Sequence, residues 1–276
     1  MLVSLRMNQI RPPAVAGLFY PDQPRALRAT VDELVAAAEP AEITRDLLKV
    51  LIVPHAGYVY SGPVAAAAYA LLKAHRQRIR RVILLGPTHR VAIRGVAIPD
   101  TDAFATPLGT VELDRPLLAQ LAGLPHVVRS EAAHADEHSL EVQVPFLQTV
   151  LGDFTLVPLA VGEIAANDLA AVLDAVWGGD ETLILVSSDL SHYHRYGEAC
   201  AIDRATVERV LALHAGLDHA QACGATPINA ALTLARRAGL QPRLLKLCNS
   251  GDTAGDRARV VGYCAIAFER PHDVRH

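Results

Sequence analysis

The chain lacks most of the features that would assign it to a class at sight. Four cysteines, Cys200, Cys223, Cys248 and Cys264, are too few and too scattered across 276 residues for a disulfide framework. No Cys-x-x-Cys pair occurs, which argues against a structural zinc ribbon. No apolar run approaches the roughly 20 residues needed to span a bilayer. The N-terminal Met1-Leu-Val-Ser-Leu-Arg-Met7 has no extended apolar core of the signal-peptide kind. Strong charge of either sign is missing too, with a net charge of -3 and a pI of about 6.4. The densest basic run, Arg76-Gln-Arg-Ile-Arg-Arg81, reads as a solvated helix end with cations near the C-terminal dipole. Neither nucleic acid nor membrane is expected as a partner, and a cytoplasmic protein with reduced thiols is expected. There is no internal repeat, low-complexity segment or linker, so residues 1–276 read as one domain. At 51% hydrophobic the chain can bury a substantial core.

What is present is organised around residues 49–62, Lys-Val-Leu-Ile-Val-Pro-His-Ala-Gly-Tyr-Val-Tyr-Ser-Gly. Val50–Val53 reads as a buried strand that Pro54 ends, since proline has no N–H for a ladder. His55 stands at the strand's carboxyl end, where open α/β sheets bind ligands. Ser61-Gly62-Pro63 sets up a helix through the alanine-rich stretch to about Gln77. The arrangement recurs twice. Arg81-Val-Ile-Leu-Leu-Gly-Pro-Thr-His89 is a strand, a break and a histidine, and Thr182–Ser187 is a strand followed by Asp189 and His192. If these strands are neighbours in one sheet, their polar ends converge.

The remaining pattern alternates strand and helix, which argues for an α/β fold with a central mixed sheet flanked by helices. Residues 11–21 are proline-rich yet apolar, so residues 1–22 are expected to form a strap packed on the body. Helices are expected at 24–39, 115–121, 165–177, 198–213 and from Thr226-Pro227 to Gly239. Further strands are expected at 95–99, 154–161, 243–249 and 259–268, with a turn and a short strand in 106–113 and a flexible connection at 250–256. In residues 131–149, His134, His138 and Glu141 have the spacing of a shared helix face, though Pro145 forbids one uninterrupted helix. We read this segment as a pocket wall, with His138, Glu141 and Tyr58 as pocket residues. Cys223 precedes a helix N-terminus, which favours a thiolate and so a metal ligand or redox target. A small buried residue is the equal alternative.

Several of these stretches occur together and in order: Arg11-Pro-Pro-Ala-Val-Ala-Gly-Leu-Phe-Tyr-Pro21, Pro54-His-Ala-Gly-Tyr-Val-Tyr-Ser-Gly62, Gly86-Pro-Thr-His89, Glu137-His-Ser-Leu-Glu-Val-Gln-Val-Pro-Phe146, Ser187-Ser-Asp-Leu-Ser-His192 and Cys223-Gly224. Together they resemble the Memo family, also called AmmeMemoRadiSam system protein B. The resemblance implies a fold like that of the class III extradiol dioxygenases, which are non-haem iron(II) enzymes. It implies metal ligands at His55 and His89, with Cys223 where those enzymes carry a glutamate. It places the acid/base histidine at His192 with Asp189 beside it. His138 matches a histidine of the family to which no firm role attaches.

Thiolate in place of carboxylate softens the site and moves preference toward copper(I), zinc or thiolate-bound iron. With the resemblance to iron(II) enzymes, iron(II) or copper is expected and zinc less so. A metal-dependent oxidoreductase is the reading that follows. The alternatives are a peptide- or small-ligand-binding module on a vestigial enzyme fold, an accessory protein to radical-SAM and AMMECR-type partners, and a zinc hydrolase.

Overall fold

Short β-branched runs closed by proline or glycine become strands here, and the alanine- and leucine-rich stretches between them become helices. The computed structural model describes residues 9–38 and 47–271. In chain order the elements begin β1 (Ile10–Arg11), α1 (Pro24–Ala37), β2 (Leu47–Val53), α2 (Tyr58–Ala74), β3 (Arg81–Pro87), β4 (Val96–Ile98), β5 (Ala103–Thr106), β6 (Gly109–Glu112), α3 (Arg115–Leu121) and β7 (Val127–Arg129). They continue with α4 (Ala132–Ala135), α5 (His138–Glu141), α6 (Val144–Val150), β8 (Thr155–Val161), α7 (Ala166–Asp174), β9 (Thr182–Ser187), β10 (His192–His194), α8 (Tyr196–Leu211), α9 (Ala225–Arg237), β11 (Gln241–Asn249) and β12 (Val260–Arg270).

One mixed sheet dominates, with strand order β10-β12-β2-β9-β3-β8-β4-β7 and β11 paired to β12. β2, β9, β3 and β8 run parallel, and β12 and β4 flank them antiparallel. The parallel strands are apolar almost throughout and buried, as strands covered on both faces must be. Helix α2 packs on β2, β11 and β12, and helix α9 on β2, β3 and β9. The three strands whose ends carry His55, His89 and Asp189/His192 are therefore side by side in the order β2-β9-β3, and their carboxyl ends meet at one edge.

The strap is tied down by a buried ion pair. Arg11 Nη1 lies 2.5 Å from Glu141 Oε2, with both side chains almost fully buried. The same carboxylate accepts the backbone N–H of Ala14 and Val15, at 2.7 and 2.9 Å, and the Tyr20 hydroxyl at 2.5 Å. Burial, together with that carboxylate, pushes the Tyr20 phenol well above its ordinary range. β1 joins β5 and β6 in a small second sheet. Residues 1–8 of the expected strap, and Glu39 at the expected end of α1, lie outside the described residues.

Some expectations change. Helix α2 starts at Tyr58, capped by Gly57, so Pro63 falls inside it rather than at its start. The turn and short strand expected in 106–113 are there, as the turn and second arm, β6, of the β5–β6 hairpin. Residues 131–149 form three short helices, with Pro145 in the first turn of α6. Ser250–Asp252 is a 3-10 turn closed by a reciprocal capping box with Asn249, so the connection begins ordered rather than flexible.

Candidate metal centre

Pro54 ends β2 and delivers His55, which is 2% exposed, to the sheet edge. Its backbone N–H donates to Asp189 Oδ1 at 2.7 Å, and its Nδ1 lies 3.0 Å from Ser187 Oγ. The Ser187 hydroxyl gives its single proton to the Ser139 carbonyl at 2.5 Å and accepts from Gln143 Nε2 at 2.8 Å. It can therefore only accept from His55, so Nδ1 carries the ring proton and Nε2 keeps a free lone pair. Burial lowers the His55 pKa well below the usual imidazole value, which keeps the ring neutral.

His89 follows Gly86-Pro87-Thr88. A Cβ on Gly86 would stand 2.7 Å from Ser139 Oγ, so glycine is what allows α5 to approach β3 this closely. Ser139 Oγ then donates to the Pro87 carbonyl at 2.8 Å. His89 Nδ1 lies 2.9 Å from Glu137 Oε1, and its backbone N–H donates to Glu137 Oε2 at 2.5 Å. A buried carboxylate on Nδ1 fixes the same tautomer as in His55 and leaves Nε2 free. Glu137 also caps α5 by accepting from Ser139 N at 2.8 Å. Burial works against the Glu137 charge, but these bonds prevail and hold its pKa at about 2.

His138 opens α5 beside them, its ring 4.6 Å from that of His89 and 5.5 Å from that of His55, centre to centre. One ligand atom from each of His55, His89 and His138 lies within 4.8 Å of the other two. His138 Nδ1 is buried without a hydrogen-bond partner, because Glu137 Oε1 at 3.5 Å misses bonding geometry. Burial lowers the His138 pKa to about 4. Three converging imidazoles, with one orphaned nitrogen among them, fit a metal ion.

Cys223 borders this group on the His55 side, outside the three converging histidines. Its Sγ lies 3.3 Å from His55 Nε2 and accepts from Asp189 N at 3.3 Å. A Cβ on Gly224 would stand 2.6 Å from Ser188 Cβ, so the Cys-Gly pair is a close-approach device. Burial pushes the thiol up to about 12 in the metal-free chain, outweighing the helix-start effect expected from sequence. A metal ion would reverse this by taking the thiolate directly.

The other expected site residues divide. His192 lines the cavity, and its Nδ1 donates to the Leu190 carbonyl at 2.8 Å, leaving Nε2 as a proton acceptor. Burial lowers its pKa. Asp189 does not orient His192 as the sequence suggested. It binds the His55 backbone instead, and burial raises its carboxyl to about 7. Glu141 and Tyr58 are not pocket residues. Glu141 faces the strap, and the buried Tyr58 hydroxyl donates to the Val142 carbonyl at 2.7 Å. His134 points away as well, with Nε2 on the Ala97 carbonyl at 3.0 Å. Sequence reasoning missed Glu137 and Ser187, although both stand inside the motifs it singled out. The cavity around these groups measures about 1570 Å³.

The family model described as Memo-like protein matches residues 11–267. The chain belongs to the Memo family. A MEMO1 family protein of Methanopyrus kandleri is 38% identical over 289 residues, covering 94% of this chain and 99% of that one. One from Methanothermobacter thermautotrophicus is 37% identical over 277 residues, covering 94% of this chain and all of that one. Among solved structures, an uncharacterized protein from Escherichia coli K12 is similar with a TM-score of 0.46 at 14% identity, over 78% of this chain and 99% of that one. That likeness is too distant to bear on this Memo chain's function. No helix among the described residues is long and apolar enough to cross a membrane.

Proposed function

We propose that this Memo protein is a metal-dependent oxidoreductase in which His55, His89 and Cys223 hold iron(II) or copper, with His138 as a further donor within reach. The observation that carries the reading is the convergence of His55, His89 and His138, with the Nδ1 atoms of the first two engaged by Ser187 and Glu137 and Cys223 Sγ 3.3 Å from His55 Nε2. Iron or copper in such a site supplies one-electron chemistry with dioxygen. The chain's own part is orientation and proton transfer. Glu137 fixes the His89 ring, and Asp189 fixes the backbone of His55. His192, neutral and with Nε2 free, takes a proton from a substrate hydroxyl or thiol and returns it to the product.

The test is dioxygen uptake by protein reconstituted anaerobically with iron(II), copper(I) or zinc, across a panel of catechols, phenols and thiols. Uptake should require iron or copper. His192→Ala should lower it by about 10²–10⁴-fold with metal content unchanged. No uptake at full iron or copper loading contradicts the reading. Ester hydrolysis that requires zinc would replace it with the hydrolase alternative.

A further inference from the structure

One wall of the cavity is a two-stranded ribbon in which His192 of β10 pairs with Val261 of β12 and His194 with Val260. The register slips between His192 and His194, so Tyr193 is a bulge residue. Its φ is +63°, the left-handed region that a bulky side chain seldom occupies. Bulges beside active sites re-aim a side chain, and strained backbone collects where function needs it. Here the bulge turns the Tyr193 ring outward, 63% exposed, under the guanidinium of Arg259, whose central carbon is 5.0 Å from the ring centroid.

Arg259 lines the cavity and makes no ion pair with a carboxylate among the described residues. Other charged groups line or border the same cavity. Arg94 faces Glu163 at 3.9 Å, His194 Nδ1 lies 3.0 Å from Glu198, and Asp256 Oδ1 accepts the backbone N–H of Ala258 and Arg259. A guanidinium placed over an aromatic ring, with no carboxylate partner, has its N–H donors available for a carboxylate or phosphate. The cavity continues past the histidine cluster to Tyr193 and Arg259.

We propose that Arg259, braced on Tyr193, is an anion-binding residue, and that the molecule taken by this cavity carries a carboxylate or phosphate held next to His192. The proposal deepens the functional reading above by naming the substrate class of the same site, and rests on it for the role of the cavity alone.

The experiment is calorimetric titration of benzoate, phenyl phosphate and neutral benzyl alcohol into wild type, Arg259→Ala and Arg259→Lys, each metal-free and metal-reconstituted. Wild type should bind at least one of the two anions in preference to benzyl alcohol, metal-free as well as reconstituted. Arg259→Ala should weaken that binding by about ten- to a hundred-fold, and Arg259→Lys should fall between, because lysine keeps the charge and loses the fork. The tighter anion identifies the headgroup. Equal affinities in wild type and Arg259→Ala, no anion binding at all, or binding confined to reconstituted protein and indifferent to Arg259 would each overturn the proposal. If the metal reading alone failed, no metal would load while the metal-free chain still bound anions through Arg259.

Discussion

Glu137→Gln tests the centre at its least conspicuous member. The carboxylate receives the His89 ring through Oε1 and the His89 backbone through Oε2, and it caps the helix that carries His138. Glutamine is nearly isosteric, but one of its terminal atoms is a donor. If the amide nitrogen faces His89 Nδ1, the ring must take the other tautomer, and Nε2 then holds a proton where a metal needs a lone pair. If the amide is flipped, its N–H₂ meets the backbone N–H of His89 and two donors face each other. Either way His89 is lost or mispositioned as a ligand. Losing a ligand's hydrogen-bonded carboxylate typically weakens metal binding by about 10–100-fold, which corresponds to about 1.4–2.7 kcal/mol. The assay is competition against a chromophoric chelator, with urea denaturation to confirm that the variant is folded. Unchanged affinity in a folded Glu137→Gln would refute the claim that this carboxylate sets the His89 tautomer.

Other consequences follow from the buried groups. His134 is neutral because burial lowers its pKa to about 4, against 6.5 when unfolded, so the unfolded chain binds the proton first as pH falls. Stability should drop between about pH 6.5 and 4, by about 3 kcal/mol from this residue alone. His134→Gln, which keeps a donor for the Ala97 carbonyl, should flatten that slope in urea titrations at several pH values, and an identical slope would exclude the assignment. Glu141→Gln strands the buried Arg11 charge and should cost about 3–5 kcal/mol in denaturant unfolding, whereas a loss below about 1 kcal/mol would mean the pair is not as desolvated as it is drawn. Gly86→Ala puts a methyl against Ser139 and should cost about 1–3 kcal/mol. Its metal affinity should also fall, since α5 must withdraw, and unaltered metal binding would contradict the close-approach role.

The strand ends were legible because parallel strands covered on both faces need continuous apolar runs, and Pro54 and Gly86-Pro87 mark where β2 and β3 stop. Their adjacency was not legible from local pattern, since the order β2-β9-β3 depends on crossovers. Spacing misled where partners come from far along the chain. His138 and Glu141 look like one helix face, but Arg11, 130 residues away, claims Glu141 for the strap. Asp189 sits beside His192 in sequence, yet the end of β2 crosses its loop and takes the carboxylate for the N–H of His55. Glu137 stood in plain view next to His138, and its bond to His89 spans 48 residues, beyond any local signal. The family resemblance supplied Cys223, which position alone left balanced against an ordinary buried thiol.

The account stands most directly on metal content by plasma mass spectrometry, measured on untagged protein purified anaerobically as wild type, His89→Ala, His138→Ala and Cys223→Ala. It predicts about one iron or copper per chain in wild type, a sharp fall in His89→Ala and Cys223→Ala, and a smaller one in His138→Ala. Wild type that holds no metal even after reconstitution, or equal loading in all four proteins, would contradict it.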